Sequence, residues 1–155
     1  MRLTLVHASI PSSHKYLRKA LERVVAMNEA YDGEADKELL FLELSAAFHH
    51  KKPGHLLYVG IDDEDKIVAH GYAAIEFYYG TPVVTCHQLW RNSSAVQFEP
   101  GQLEQALDSI ANWGATHGAT KMRTYASNAK VAAIAEKYGW RKTDRILMER
   151  DIPKE

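Results

Sequence analysis

The spacing of apolar residues alternates between two periods along the chain, and this predicts the order of its helices and strands. Four segments repeat apolar residues every third or fourth position, as one face of a helix requires. The predicted helices begin near Ser12, Asp36, Pro100 and Ser127. Six shorter runs, rich in Val, Ile, Thr and Tyr, predict strands. These strands cover residues 3–6, 55–61, 67–80, 83–90, 120–126 and 146–152.

Turn signals between the three central strands predict how these strands pair. DDEDK separates 55–61 from 67–80, and YYGTP lies between 67–80 and 83–90. Connections this short join antiparallel neighbours, so the three strands should form a meander. A helix then precedes each of the last two strands. The prediction is a single α/β domain over residues 1–155, in which helices flank a mixed, mostly antiparallel central sheet.

The helix that starts at Asp36 carries more apolar surface than one core-facing stripe needs. The stripe consists of Leu40, Leu44, Ala47 and Phe48. The apolar residues outside the stripe are Leu39, Phe41 and Leu42. Such an excess predicts that the helix is deeply buried or covers an interface, which is compatible with a homodimer.

Composition places the chain among ordinary globular proteins. Of its 155 residues, 46% are apolar and 25% are charged. The formal net charge of −1 lacks the excess of Lys and Arg that marks nucleic-acid-binding domains, so no nucleic-acid partner is expected. No segment reaches the roughly 18 apolar residues of a membrane span, and the first residues do not resemble a signal peptide. A cytoplasmic protein without a membrane partner is predicted.

Cysteine and histidine content predicts neither a disulfide nor a metal site. Cys86 is the single cysteine, and its place within an apolar strand is typical of a buried hydrophobic residue. The His-rich segment HHKKPGH, residues 49–55, lacks the H-E-x-x-H or paired-Cys spacing of zinc sites. It is better explained as a basic helix end, which is favourable to the helix dipole.

The C-terminal part of the sequence carries marks that point to a known family. Residues 112–142 read NWGATHGATKMRTYASNAKVAAIAEKYGWRK. A His-Gly-Ala turn at 117–119 closes one helix, Asn128 opens the next, and Gly-Trp at 139–140 ends it. With the predicted element order, these marks resemble the GNAT superfamily of acyl-CoA-dependent N-acyltransferases. The resemblance covers nearly the whole chain in element order and about the last third in residues.

The resemblance implies a binding mode for acetyl-CoA as co-substrate. If the strands 83–90 and 120–126 diverge, their unpaired backbone groups can hold the two amides of the pantetheine arm, like an added strand. The diphosphate would then meet the N-terminus of the helix near Pro100. The cofactor-binding residues implied in this way are Leu89, Trp90, Arg91, Gly101, Gln102, Leu103 and Asn128.

The loop before that helix departs from the family's phosphate-binding motif, Q/R-x-x-G-x-G/A. Gly101 aligns with the first glycine, but Leu103 stands at the second small position and Phe98 at the leading polar position. Carboxylates such as those of Glu99 and Glu104 stabilise a helix N-terminus by about 0.3–1 kcal/mol, yet their charge opposes a diphosphate. The resemblance therefore implies a degenerate CoA-diphosphate loop.

Acylation of an amine requires a general base that reaches the amine. The resemblance directs attention to the central strands, where His87 and Glu76 are the candidate bases. A histidine titrates in the range that such a base requires. Simple alternation places Thr85, His87 and Leu89 on one face of their strand.

The reaction also requires a general acid that protonates the leaving thiolate. Many family members carry a tyrosine four residues before the glycine that ends the last helix, but Ala135 stands there in this chain. Tyr125, near the end of the strand 120–126, is another candidate acid.

Two hypotheses of function stay open. In the first, the chain transfers an acyl group from acetyl-CoA to an amine of a small molecule or a protein. In the second, it keeps the fold without the chemistry and serves as a binding or assembly protein, as some phage-encoded GNAT-like proteins do.

Overall fold

The computed structural model describes residues 2–8, 15–31, 36–91, 99–126, 129–146, 148 and 150–153. The chain forms two compact units, Met1–Tyr125 and Ala126–Glu155. A single domain over residues 1–155 stays a prediction. Among the described residues, every helix is too short or too polar to span a membrane.

The first unit contains a five-stranded sheet and three helices in its described residues. In chain order its elements are β1 (Arg2–His7), α1 (Leu17–Tyr31), α2 (Lys37–His49), β2 (His55–Ile61), β3 (Ile67–Tyr78), β4 (Thr81–Arg91), α3 (Gln102–Thr116) and β5 (Met122–Thr124). The predicted order of elements is confirmed up to this point. The predicted caps of the first helix, Ser12 and Ser13, lie outside the described residues.

The sheet has the strand order β1-β2-β3-β4-β5. The first three pairings are antiparallel, and β4 pairs with β5 in parallel. The predicted meander and the mixed, mostly antiparallel sheet are therefore confirmed. The turn between β3 and β4 consists of Tyr79 and Gly80, which both adopt positive φ, at 51° and 82°. Two such residues match the twist of the strands that they connect.

The second helix begins where its sequence predicts. Asp36 is its N-cap, and the carboxylate accepts a hydrogen bond of 3.0 Å from the backbone N–H of Leu39. Leu44, Ala47 and Phe48 are buried, which confirms most of the predicted stripe. The side chains of Leu39 and Leu42 stay 53% and 64% exposed. Within the described part of the chain, the helix therefore has an uncovered apolar edge and is not buried on all sides.

Helices cover both faces of the sheet. Against one face, α1 and α2 form a core with the first strands, which includes Val6, Leu21, Val24, Leu44, Phe48, Leu57, Val59 and Ile61. Against the other face, α3 lies so close to β4 that a Cβ atom added at Gly114 would stand 2.3 Å from Cγ2 of Val84. Gly114 thus sets the distance between α3 and the strand that carries His87.

The second unit contains α4 (Ala129–Glu136). Gly139 adopts φ +87° just beyond it, as predicted for a glycine that stops a helix. The candidate caps of this helix, Ser127 and Asn128, lie outside the described residues. The predicted strand at 146–152 is not present in the described residues of that segment. A strand is stabilised by the backbone of a neighbouring strand, and the described residues of this unit contain none for it to pair with.

Substitution of Gly114 by Ala should destabilise the fold. The new methyl group would overlap with Val84. Overpacking of this kind costs about 1–3 kcal/mol, more than the gain of about 1 kcal/mol in helix propensity. Urea denaturation of Gly114→Ala should show the loss. In a Val84→Ala background the same substitution should be neutral or stabilising, and an equal loss in both backgrounds would rule out the Val84 contact as the cause.

Candidate functional site

The pairing of β3 with β4 slips by one residue at His87. Ala73 pairs with Cys86 and Tyr72 pairs with Gln88, so that His87 is an extra residue without a partner in the register. Such a β-bulge bends the strand and redirects a side chain. The predicted placement of Thr85 and His87 on one face is nevertheless confirmed, because Thr85 pairs with Ala74, which lies on the same face of β3 as the two residues that His87 contacts. The side chain of Leu89 lies outside the described atoms.

The bulge brings the two candidate bases together. Nε2 of His87 lies 2.9 Å from Oε1 of Glu76, and the side chains are 40% and 37% exposed. Because a carboxylate only accepts hydrogen bonds, Nε2 carries the hydrogen, and Nδ1 of the neutral imidazole keeps its lone pair. Glu76 thus orients an imidazole that solvent and ligands can reach. We refer to these two residues as the Glu76–His87 pair.

The ring of His87 is the first of three stacked aromatic rings on the same face of the sheet. The ring of Tyr72 stacks on that of His87 with centroids 5.3 Å apart and planes 20° apart. The ring of His55 stacks on Tyr72, with a centroid distance of 6.2 Å and an interplanar angle of 12°. Nδ1 of His55 also lies 2.9 Å from the Tyr72 hydroxyl. Because Phe48 lies 6.4 Å from His55, centroid to centroid, the stack reaches the end of α2.

Burial determines the protonation of this stack. It raises the pKa of Tyr72 to about 12, with a further contribution from the negative charge of Glu76. It also lowers the pKa of His55, and the positive charge of Lys52, together with that of His87 when it is protonated, lowers this pKa further. At neutral pH Tyr72 therefore keeps its proton and His55 is uncharged, so the hydroxyl of Tyr72 can donate to Nδ1 of His55.

Two further side chains extend the site toward the edge of the sheet. The Tyr78 hydroxyl donates a long hydrogen bond of 3.4 Å to Oε2 of Glu76. The guanidinium carbon of Arg123 lies 4.4 Å from the centroid of the Tyr78 ring. Arg123 belongs to β5, where it stands in register with Thr85 of β4. A continuous row of side chains thus crosses from β2 to β5.

The pairing of β4 with β5 ends beside the Glu76–His87 pair. Their parallel register ends with Cys86 opposite Thr124, whereas β4 continues to Arg91. The Thr124 hydroxyl donates a 2.9 Å hydrogen bond to the Cys86 carbonyl at this point. In the described residues β5 provides no partner for β4 beyond it. β5 is thus shorter than the predicted strand 120–126, and the divergence of the two strands stays a prediction.

The N-terminus of α3 is partly open. Its N-cap, Gly101, adopts a left-handed conformation with φ 82°, and a Cβ atom added there would meet nothing within 4 Å. The backbone N–H of Gln102 donates to the carbonyl of Glu99 at 3.0 Å, and the N–H of Glu99 donates to the Gln102 side chain at 2.8 Å. The backbone N–H of Gln102 is therefore already used in a hydrogen bond within the loop. The side chain of Leu103 is half-buried.

The other predicted site residues are placed as follows. Tyr125 directly follows β5 and is 72% exposed. Leu89, Trp90 and Arg91 occupy the last positions of β4, and their side chains lie outside the described atoms. Asn128 and Phe98 lie outside the described residues. The described residues contain no cluster of three or more metal-ligating side chains.

No protein-family model and no curated protein matches the sequence of this chain. Solved structures do match. An aminoglycoside N-acetyltransferase in complex with CoA superposes with a TM-score of 0.69 at 14% identity, covering 97% of this chain and 93% of the other. A predicted acetyltransferase with acetyl-CoA from Clostridium acetobutylicum gives a TM-score of 0.69 at 13% identity, covering 96% and 95%.

A glucosamine-6-phosphate N-acetyltransferase from Arabidopsis thaliana is similar as well. Its TM-score is 0.62 at 16% identity, and the match covers 99% of this chain and all (100%) of the other. The chain therefore has the fold of the GNAT acetyltransferases, as the resemblance of residues 112–142 implies.

The lowered pKa of His55 should make stability depend on pH. Below its usual pKa of 6.5, the unfolded chain takes up a proton at this residue more readily than the folded chain. The free energy of unfolding should therefore decrease as the pH falls from about 6.5 through the folded pKa. In His55→Asn this part of the decrease should be absent, as measured by urea denaturation between about pH 7.5 and pH 5.5. His50→Asn, at the exposed end of α2, should keep the wild-type slope, and an unchanged slope in His55→Asn would contradict the assignment.

Proposed function

We propose that the chain is an N-acyltransferase that transfers an acyl group from acetyl-CoA to an amine of a small molecule or a protein. The observation that carries the proposal is the Glu76–His87 pair. The pair lies at the bulge of β4, next to the last position at which β4 pairs with β5. The fold is that of acetyltransferases, two of which were crystallised with CoA or acetyl-CoA.

Two features of the chain fit acetyl-CoA. Beyond Cys86, the backbone of β4 can pair with the amides of a pantetheine arm, as an added strand would. The first turn of α3 directs N–H groups and a positive dipole end toward a diphosphate, and the open space at Gly101 allows its approach. Acetyl-CoA, when bound, supplies the activated acyl group. A backbone N–H of Leu89 or Trp90, beyond the last residue of β4 that pairs with β5, polarises its carbonyl.

The Glu76–His87 pair has the properties of a general base. An amine is nucleophilic only after it has lost a proton, and Nδ1 of His87 is free to accept that proton directly or through a water. The carboxylate of Glu76, 2.9 Å from Nε2, stabilises the positive imidazolium that results. Tyr125, exposed just after β5, remains the candidate acid for the thiolate.

A second function, binding without catalysis, is favoured by the loop before α3. Glu104 lies in the first turn of the helix, and Glu99 precedes it. The N–H of Gln102 is already bonded to Glu99, and Pro100 has none, so few donors remain for a diphosphate. On this alternative the chain binds a partner and has lost the co-substrate.

Calorimetric titration with acetyl-CoA, and with CoA for comparison, separates the two functions. The transferase should bind both ligands with micromolar affinity. An absence of binding at millimolar concentration would leave binding without catalysis as the function of this fold.

Substitution of the pair should then impair the reaction and leave co-substrate binding intact. With an acceptor found by screening, His87→Ala should lower kcat/KM about 100-fold or more, because general bases contribute roughly that much. Glu76→Gln should lower it as well, since an amide cannot stabilise an imidazolium by charge. Acetyl-CoA affinity in both variants and the activity of His50→Ala should match the wild type. Retention of full activity in His87→Ala would exclude His87 as the base.

A further inference from the structure

Arg123 is a half-buried cation without a counter-charge among the described residues. Its guanidinium lies over the ring of Tyr78, which attracts a cation through the negative face of its π-system. The carboxylate of the same row, Glu76, is bonded to His87 and Tyr78 instead. The positive charge is therefore held in place but not neutralised.

The contact with Tyr78 leaves the hydrogen-bonding capacity of Arg123 unused. The N–H donors of a guanidinium point outward in its own plane, so a ring over its face satisfies none of them. A planar set of donors fits the two oxygens of a carboxylate or a phosphate, and a ring contact restricts the rotation of the side chain. These are the properties of a preorganised site for an anion.

Arg123 and His87 border the same surface of the sheet. Arg123 stands opposite Thr85, on the neighbouring strand, and His87 follows two residues later along β4. Tyr78 and Glu76 join the two side chains through direct contacts. A small molecule whose amine lies at Nδ1 of His87 can therefore extend across β4 toward the guanidinium.

We propose that the acceptor is an amine that also carries an anionic group, a carboxylate or a phosphate, and that Arg123 binds this group. The proposal rests on the proposed function, because it places the amine at His87. It also makes polycationic amines poor acceptors, because a second ammonium group would meet the positive charge of Arg123. Arg123 is then a residue that determines specificity, and the Glu76–His87 pair is the base.

Matched pairs of amines test this inference. Tyrosine and tyramine differ by a carboxylate, and phosphoethanolamine and ethanolamine differ by a phosphate. The wild type should prefer the anionic member of at least one pair by about 10- to 100-fold in kcat/KM, as a charge-assisted pair of hydrogen bonds provides. The pair that shows the preference identifies the anion. Equal kcat/KM values within both pairs would overturn the proposal.

Variants assign the preference to Arg123. Arg123→Gln should lose the preference for the anionic amine and leave the neutral amine unchanged, whereas Arg123→Lys should keep part of it. Lys121→Gln removes a charge from an exposed side chain just before β5 and should behave as the wild type. A loss of equal size for both members of a pair in Arg123→Gln would show a structural effect and overturn the assignment.

Binding measurements distinguish failure of this inference from failure of the proposed function. The arginine Nε–H signals of the labelled protein can be followed by NMR while the same amines are added, with and without CoA. If no amine is acetylated, the transferase function fails. Selective binding of the anionic amines that Arg123→Gln abolishes would still support the anion site, and equal binding of both members by the wild type would overturn it.

Discussion

The bulge at His87 is the constraint on which the arrangement of the site depends. In an uninterrupted pairing of β3 with β4, each residue of one strand faces one residue of the other. The extra residue at His87 breaks this pattern, and its imidazole contacts Glu76 and the ring of Tyr72 at this point. The same stretch of β4 then continues beyond the end of β5, so that no described strand pairs with this edge of β4 next to the imidazole. The candidate base and the candidate co-substrate channel therefore lie along one irregular strand.

Packing on the opposite face holds this strand in position. Gly114 allows the backbone of α3 to approach Val84, and the Thr124 hydroxyl binds the carbonyl of Cys86 at the last paired position. Because protein interiors are close-packed, a shift of α3 would be transmitted to β4. The geometry of the exposed site is thus determined in part by contacts that no ligand reaches.

Much of the fold could be predicted because periodicity and turn residues report local structure. The start of α2 at Asp36 and the meander follow from such signals, whereas the two candidate bases follow from the family resemblance. The bulge could not be predicted, since one inserted residue leaves an apolar strand looking like any other. Tyr72, His55 and Arg123 were missed because their contacts depend on the cross-strand register. The segment 146–152 shows the reverse error, because a short apolar run such as the one that opens it says nothing about whether a partner strand is near.

The tight turn at Tyr79 and Gly80 has a consequence for the order of assembly. Glu76 and His87 belong to the two arms of one hairpin, so their contact requires the closure of only a short loop. Such local contacts form quickly, on a scale of about microseconds for an isolated hairpin. Arg123 joins them only after the chain has built α3 and returned as a parallel strand, which is a slower, non-local event. During folding, the contact between Glu76 and His87 therefore forms before Arg123 reaches the same surface.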